Sequence, residues 1–133
     1  MLIFLASLYF IYAFFFLFTY VKGYSLLRYL LKRKNINVQL SIELIFIIIC
    51  SFVLFMTQPL NWIVGLIMLS HVGGIIWIIS NPDQYYAMVE EASVDMDSFE
   101  IIAFMTYIAY GAFAYYSITV SYTHLTLPTN GLV

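Results

Sequence analysis

Charge is what this sequence has least of. Asp, Glu, Lys and Arg make up 9% of its 133 residues, against about 25% in an ordinary soluble domain. A chain with so little polar surface cannot cover a water-facing globule. Cysteine occurs once, as Cys50 inside an apolar run, which excludes an intrachain disulfide and gives no indication of redox compartment. Basic residues are missing everywhere except between Lys22 and Lys34, so no basic stripe is available for nucleic acid, and none is expected as a partner. The spacings of a P-loop, a nucleophile elbow, a zinc-protease helix and a CxxC pair are also missing. No catalytic residue, metal site or cofactor is therefore expected, and the sequence leans away from an enzyme without deciding the matter.

What is present is apolar. Hydrophobic residues are 64% of the chain, and mean hydropathy is +0.96. A bilayer core needs about 20 apolar residues in helical form. Four stretches qualify, at about 2–21, 40–57, 60–80 and 99–119. The first lacks a basic leader and a small-residue cleavage site, so it reads as a span and not as a signal peptide. The fold expected is an all-α integral membrane protein of about four transmembrane helices, residues 1–119 forming one polytopic domain.

The five cations, Lys22, Arg28, Lys32, Arg33 and Lys34, fix its expected orientation. Positive charge flanking spans favours the cytoplasmic side, which puts 22–39 inside and the N-terminus outside. Gln58-Pro59 then forms an outer hairpin, since proline cannot continue a helix interior. Residues 81–98 return to the cytoplasm, and the location expected is a cell membrane of the bacterial inner-membrane kind. The stretch 22–34 keeps a helical stripe, with Tyr24, Leu27, Leu30 and Leu31 on one side and Ser25, Arg28 and Lys32 on the other, as in a helix lying among headgroups. Its cations serve topology first, and a contact with anionic lipid or a partner second.

The 81–98 segment holds most of the acids. Asn81-Pro82 reads as a cap with proline at the first helical position, and Tyr85, Met88, Val89 and Ala92 share one side of a short surface helix. Asp97 to Glu100 resembles a capping box opening the fourth span. Glu90, Glu91, Asp95 and Asp97 lack the spacing of a calcium loop and read as a solvated acidic face.

One ionisable side chain stands mid-span. His71 lies within Ser70-His71-Val72-Gly73-Gly74, where such a group is costly and functional by default. Ser70, Gly73 and Gly74 offer a small-residue face for close helix packing. Tyr107 and Tyr110 fall at a similar depth, so the candidate intramembrane polar site comprises His71, Ser70, Tyr107 and Tyr110, with a His71–Tyr110 hydrogen bond. A proton relay, a substrate contact or ligation stands against interhelical glue. Glu43, read as one turn into the second span, is expected to pair with Lys32, Arg33 or Lys34, and its distance from His71 argues against coupling between them.

Residues 120–129, Val-Ser-Tyr-Thr-His-Leu-Thr-Leu-Pro-Thr, resemble a one-frame translation of the adapter used in transposase-based DNA library preparation, and the flanking codons also admit Thr119 and Asn130. The tail 120–133 is thus expected to be non-native, His124 and Pro128 to have no role, and the natural chain to continue beyond Thr119. Two functions fit the whole. The first is a non-enzymatic multi-span protein with an assembly or accessory role, its partners being the lipid bilayer and other membrane subunits or itself. The second is the N-terminal part of a larger transporter or membrane-embedded transferase acting on a lipid-linked or small-molecule substrate.

Overall fold

The computed structural model describes residues 1–57 and 60–132, with side chains described through Thr119. Among the described residues all regular structure is helical, in the order α1 (Leu2–Val21), α2 (Leu26–Leu31), a 3-10 turn (Arg33–Asn35), α3 (Ile36–Met56), α4 (Trp62–Ser80), α5 (Pro82–Ala92), a second 3-10 turn (Ser93–Asp95) and α6 (Met96–Leu132). Four stretches are long and apolar enough to cross a membrane: Leu2–Val21, Arg33–Met56, Trp62–Ser80 and Pro82–Thr119. Large apolar side chains such as Ile11, Phe55, Leu69 and Tyr115 are exposed along all four. The expected Gln58-Pro59 hairpin lies outside the described residues.

The long helices form an up-and-down bundle. Phe10 meets Gly111, Tyr12 lies 4.5 Å from Tyr107 and Phe14 lies 6.4 Å from Phe104 between ring centroids. Numbers rise on α1 as they fall on α6, so the two run antiparallel. The buried centre takes Leu5, Ala6 and Tyr9 from α1, Phe46, Cys50 and Val53 from α3, Val64 and Ile67 from α4, and Ala114 from α6.

The basic stretch is less helical than its stripe suggests. Gly23 takes a left-handed φ of +81°, the conformation glycine adopts at helix ends. Tyr24 N–H donates to Thr19 O at 2.9 Å and Gly23 N–H to Tyr20 O at 3.0 Å, the paired bonds of a Schellman stop. Only six residues then re-form a helix. Ser25 caps it by accepting from Arg28 N–H at 3.2 Å, and Asn35 Nδ2 donates to Tyr29 O near its end at 2.7 Å. The buried side is Leu26 and Leu30, packed on Phe16, while Tyr24 faces out. The expected stripe was therefore set by a helix that glycine does not allow to continue.

The expected capping box is absent. α6 begins at Met96, directly after a 3-10 turn that joins it to α5, so Asp97 is already inside the helix. Glu100 is buried and points elsewhere: its Oε1 accepts from Leu27 N–H at 3.4 Å, meeting one of the unpaired amides of the first turn of α2. Arg28 Nη2 donates to Ser93 O at 3.4 Å, so α2 is clamped to the start of α6 from two sides. In α5, Tyr85 and Ala92 are buried as their spacing suggests, but Met88 is exposed. Asn81 occupies the cap position without a side-chain cap bond.

α4 starts differently. Asn61, buried, accepts from Val64 N–H through Oδ1 at 3.3 Å and donates through Nδ2 to Ser117 Oγ at 3.0 Å. One side chain thus caps α4 and ties it to α6. Loss of an Asn cap costs about 0.5–2 kcal/mol. Asn61→Ala is expected to lower the thermal midpoint of the purified protein in detergent more than Asn61→Ser does, because serine keeps the cap while being too short for Ser117.

Candidate functional site

The centre of the site is a contact between α3 and α4. Glu43 stands 14 residues before Thr57, and His71 stands 11 residues after Leu60. At 1.5 Å of rise per residue the two differ by about 4.5 Å along the hairpin, which one glutamate side chain spans. Glu43 Oε2 lies 2.5 Å from His71 Nδ1, and both residues are at least nine-tenths buried, at 9% and 3% exposure. Gln39 Nε2, one turn earlier on α3, donates to Glu43 Oε1 at 3.3 Å.

The other imidazole nitrogen faces α1. His71 Nε2 lies 2.7 Å from the Tyr9 hydroxyl, whose oxygen is 3.6 Å from Cys50 Sγ. A neutral imidazole satisfies both contacts: Nδ1–H donates to the Glu43 carboxylate, and Nε2 accepts from the Tyr9 O–H. The tautomer is assigned from the hydrogen-bond network. Tyr9 is fully buried, and its ring stacks on Phe46 at 4.5 Å; Phe46 in turn stacks on His71 at 5.2 Å. Three parallel rings thus hold the hydroxyl against the imidazole. Among the described residues no buried side-chain nitrogen or oxygen lacks a partner.

These positions differ from those the sequence suggests. Glu43 does not pair with Lys32, Arg33 or Lys34, because α3 begins at Ile36 and not near 40, which moves Glu43 away from the charged end. Arg33 instead lies 3.7 Å from Asp83 and stacks 4.6 Å from the Tyr86 ring centroid. The Arg33–Asp83 pair is well exposed, and such pairs contribute little. Lys22 sits 5.8 Å over Phe18. Tyr110 does not bond His71; its hydroxyl donates to Ser70 Oγ at 2.9 Å, while Tyr107 joins the aromatic layer 6.3 Å from Tyr9. Both tyrosines, Ser70 and His71 nonetheless line one cavity of about 240 Å³ together with Glu43 and Gln39.

Close packing at the small residues is also placed elsewhere. A Cβ at Gly73 or Gly74 would meet nothing within 4 Å, whereas one at Gly111 would stand 2.8 Å from the Phe10 ring. The tight helix approach is α1 on α6, and the Gly73–Gly74 face of α4 is open among the described residues.

Tyr9 and Glu43 are the site residues missing from the sequence-based set. Tyr9 had one visible signal: Ala6 and Ala13 bracket it on the same face of α1, small residues that let a neighbour approach, and all three are buried. Among the described residues no group of three or more His, Cys, Asp or Glu side chains is placed to hold a metal ion. Compared with protein-family profiles, curated proteins and solved structures, the chain finds no match.

Proposed function

We infer that this chain is a non-enzymatic multi-span membrane protein that holds a polar or protonatable group at the Glu43–His71–Tyr9 chain. The 2.5 Å contact between a buried carboxylate and a buried imidazole, at the wall of a cavity, carries this reading. An ionisable pair inside a membrane bundle is costly and is retained for ion, proton or substrate handling. Both imidazole nitrogens are already engaged by protein atoms, which favours relay and hydrogen bonding over metal ligation or nucleophilic attack. A proton arriving at Nε2, as the Tyr9 O–H turns toward Cys50 Sγ, yields an imidazolium whose Nδ1 proton passes to Glu43, leaving a neutral imidazole protonated at Nε2 and a neutral carboxyl. The heavy atoms need not move.

Infrared difference spectra of the full chain in vesicles, taken between acidic and alkaline buffer, test this. A working site exchanges protons with the medium, so a protonated carboxyl band should appear on acidification, vanish in Glu43→Gln and shift in His71→Asn. A spectrum identical in wild type and Glu43→Gln would leave the pair as interhelical glue and defeat the reading.

The membrane placement belongs to the same proposal. The segments 22–35 and 81–98 meet at one end of the bundle, through Arg28 with Ser93 and Arg33 with Asp83, which is what four crossings require. The clustered cations put that end in the cytoplasm. A reporter fused after Asn35 should therefore show a cytoplasmic signature, and an external one would reverse the scheme. An accessory role in an assembly is the second reading. It is favoured by the open Gly73–Gly74 face of α4, which a helix from a partner or a second copy could approach closely.

A further inference from the structure

Two cavities meet at Tyr110. On one side is the polar cavity of about 240 Å³ that Glu43 and His71 border. On the other, a groove of about 590 Å³ runs between α4 and α6 toward the uncharged end, with Trp62, Leu66, Phe113 and Tyr116 along its walls. Tyr110 lines both and is tethered across them by one hydrogen bond to the exposed Ser70.

We propose that the two cavities form one site for a single-tailed amphiphile, its apolar chain in the α4–α6 groove and a non-anionic, hydrogen-bond-donating head, hydroxyl or ammonium, against Glu43 and His71. This rests on reading the Glu43–His71 pair as a binding centre and names the ligand class it takes.

Size separates the compartments. Small-molecule sites run to about 300–1,000 Å³. The groove reaches that range alone and the polar cavity does not, so the polar cavity suits a headgroup and the groove suits a tail. Charge decides the head. The acidic or basic side chains bordering the polar cavity are Glu43 and His71, with neither lysine nor arginine among the lining residues. A phosphate or carboxylate placed there would be a buried anion beside a carboxylate, a costly arrangement. A hydroxyl or ammonium can instead donate to Glu43, whose two oxygens accept about four hydrogen bonds and receive one each from Gln39 and His71.

Access follows from the walls. Toward the charged end the cavity is bordered by Leu27 and Leu30 of the clamped helix α2. Toward the side it is bordered by Ser70 and Gly74 on α4 and by Thr106 and Tyr110 on α6, and a Cβ at Gly74 would meet nothing. The small residues of α4 leave a lateral doorway, through which a head can pass while its tail stays in the apolar layer.

Trp62 in the groove is a built-in reporter. In a Trp77→Phe background, the full chain in phosphatidylcholine nanodiscs is titrated with three probes of one bromine-labelled chain: a monoacylglycerol, an alkylamine and a fatty acid at alkaline pH. The first two should quench Trp62 saturably, with competition by the unlabelled compound and affinity about tenfold or more above the fatty acid, as expected for a hydrogen bond to a charged group. Gly74→Leu, which fills the doorway and leaves the pair intact, should abolish the saturable component, and Glu43→Gln should weaken it. Equal quenching by all three heads, unchanged in both variants, would overturn the amphiphile site while leaving the proton-exchange result above untouched. Absence of saturable quenching with every probe would overturn it as well.

Discussion

His71→Ala should destabilise the folded bundle by about 3–5 kcal/mol and Glu43→Ala by about 1–3 kcal/mol, while the double replacement Glu43→Leu with His71→Phe should cost less than the two losses together. The asymmetry comes from desolvation. Removing His71 leaves a buried carboxylate without its main donor and removing Glu43 leaves a buried N–H without its acceptor, whereas replacing both with apolar side chains removes the buried polar groups together. The contact is 2.5 Å long between residues at 9% and 3% exposure, so each truncation removes a main hydrogen-bond partner of the other group. Equilibrium unfolding of the wild type and these three variants in mixed micelles measures the losses. Additive losses would show that the two side chains are not an energetic unit. The next bond along is weaker: hydrogen bonds between membrane helices average about 0.6 kcal/mol and reach about 1.7. Tyr9→Phe should therefore fall in that range, keeping the ring on Phe46 and losing only the hydroxyl.

Gly111→Leu should be the most damaging change away from the polar centre. A Cβ there would lie 2.8 Å from Phe10 Cε1 and 2.9 Å from Cδ1, well inside contact distance. For Gly111→Ala the end of the phenylalanine ring can swing aside, and the loss should be small. Leucine occupies the space the ring would need, so α1 and α6 must separate, and overpacking of this kind costs about 1–3 kcal/mol. The combination Gly111→Leu with Phe10→Ala should recover part of the loss, because the volumes then exchange across one interface. Thermal unfolding in detergent reads both effects. A double variant no better than Gly111→Leu would place the strain somewhere other than the Phe10 contact.

The helices were legible because their causes are local. Length and hydropathy are properties of each stretch alone, and they marked out α1, α3, α4 and α6 to within a few residues at most ends. The errors occurred where one residue answers to a distant one. Glu43 read as a headgroup-level acid because depth was counted from the start of its span; counted back from the hairpin, it stands level with His71. Glu100 fits a local capping pattern, yet it caps α2, a helix far away in sequence. His71 was visible as an anomaly, but its partner had to come from Tyr107 or Tyr110 if only α6 was considered. Tyr9 supplies it from α1, a span whose lack of charge drew no attention. Gly23 and the Ala6–Ala13 face around Tyr9 are local signals, since a glycine just after an apolar run is the ordinary mark of a helix stop and small residues mark a close helix approach.

The placement of charge has a mechanical consequence. Apart from buried Glu43 and Glu100, every Asp, Glu, Lys and Arg falls within 22–35 or 81–98, the two segments that share one end of the bundle. In the proposed membrane placement, side chains at headgroup level anchor a helix bundle, and the charged side chains outside the core lie at one end of it. In that placement a change in bilayer thickness would be absorbed at the opposite end, where Phe55, Leu60 and Trp62 are exposed and can sink or rise without dragging a charged side chain into hydrocarbon. In that placement the described bundle is a post held at its base.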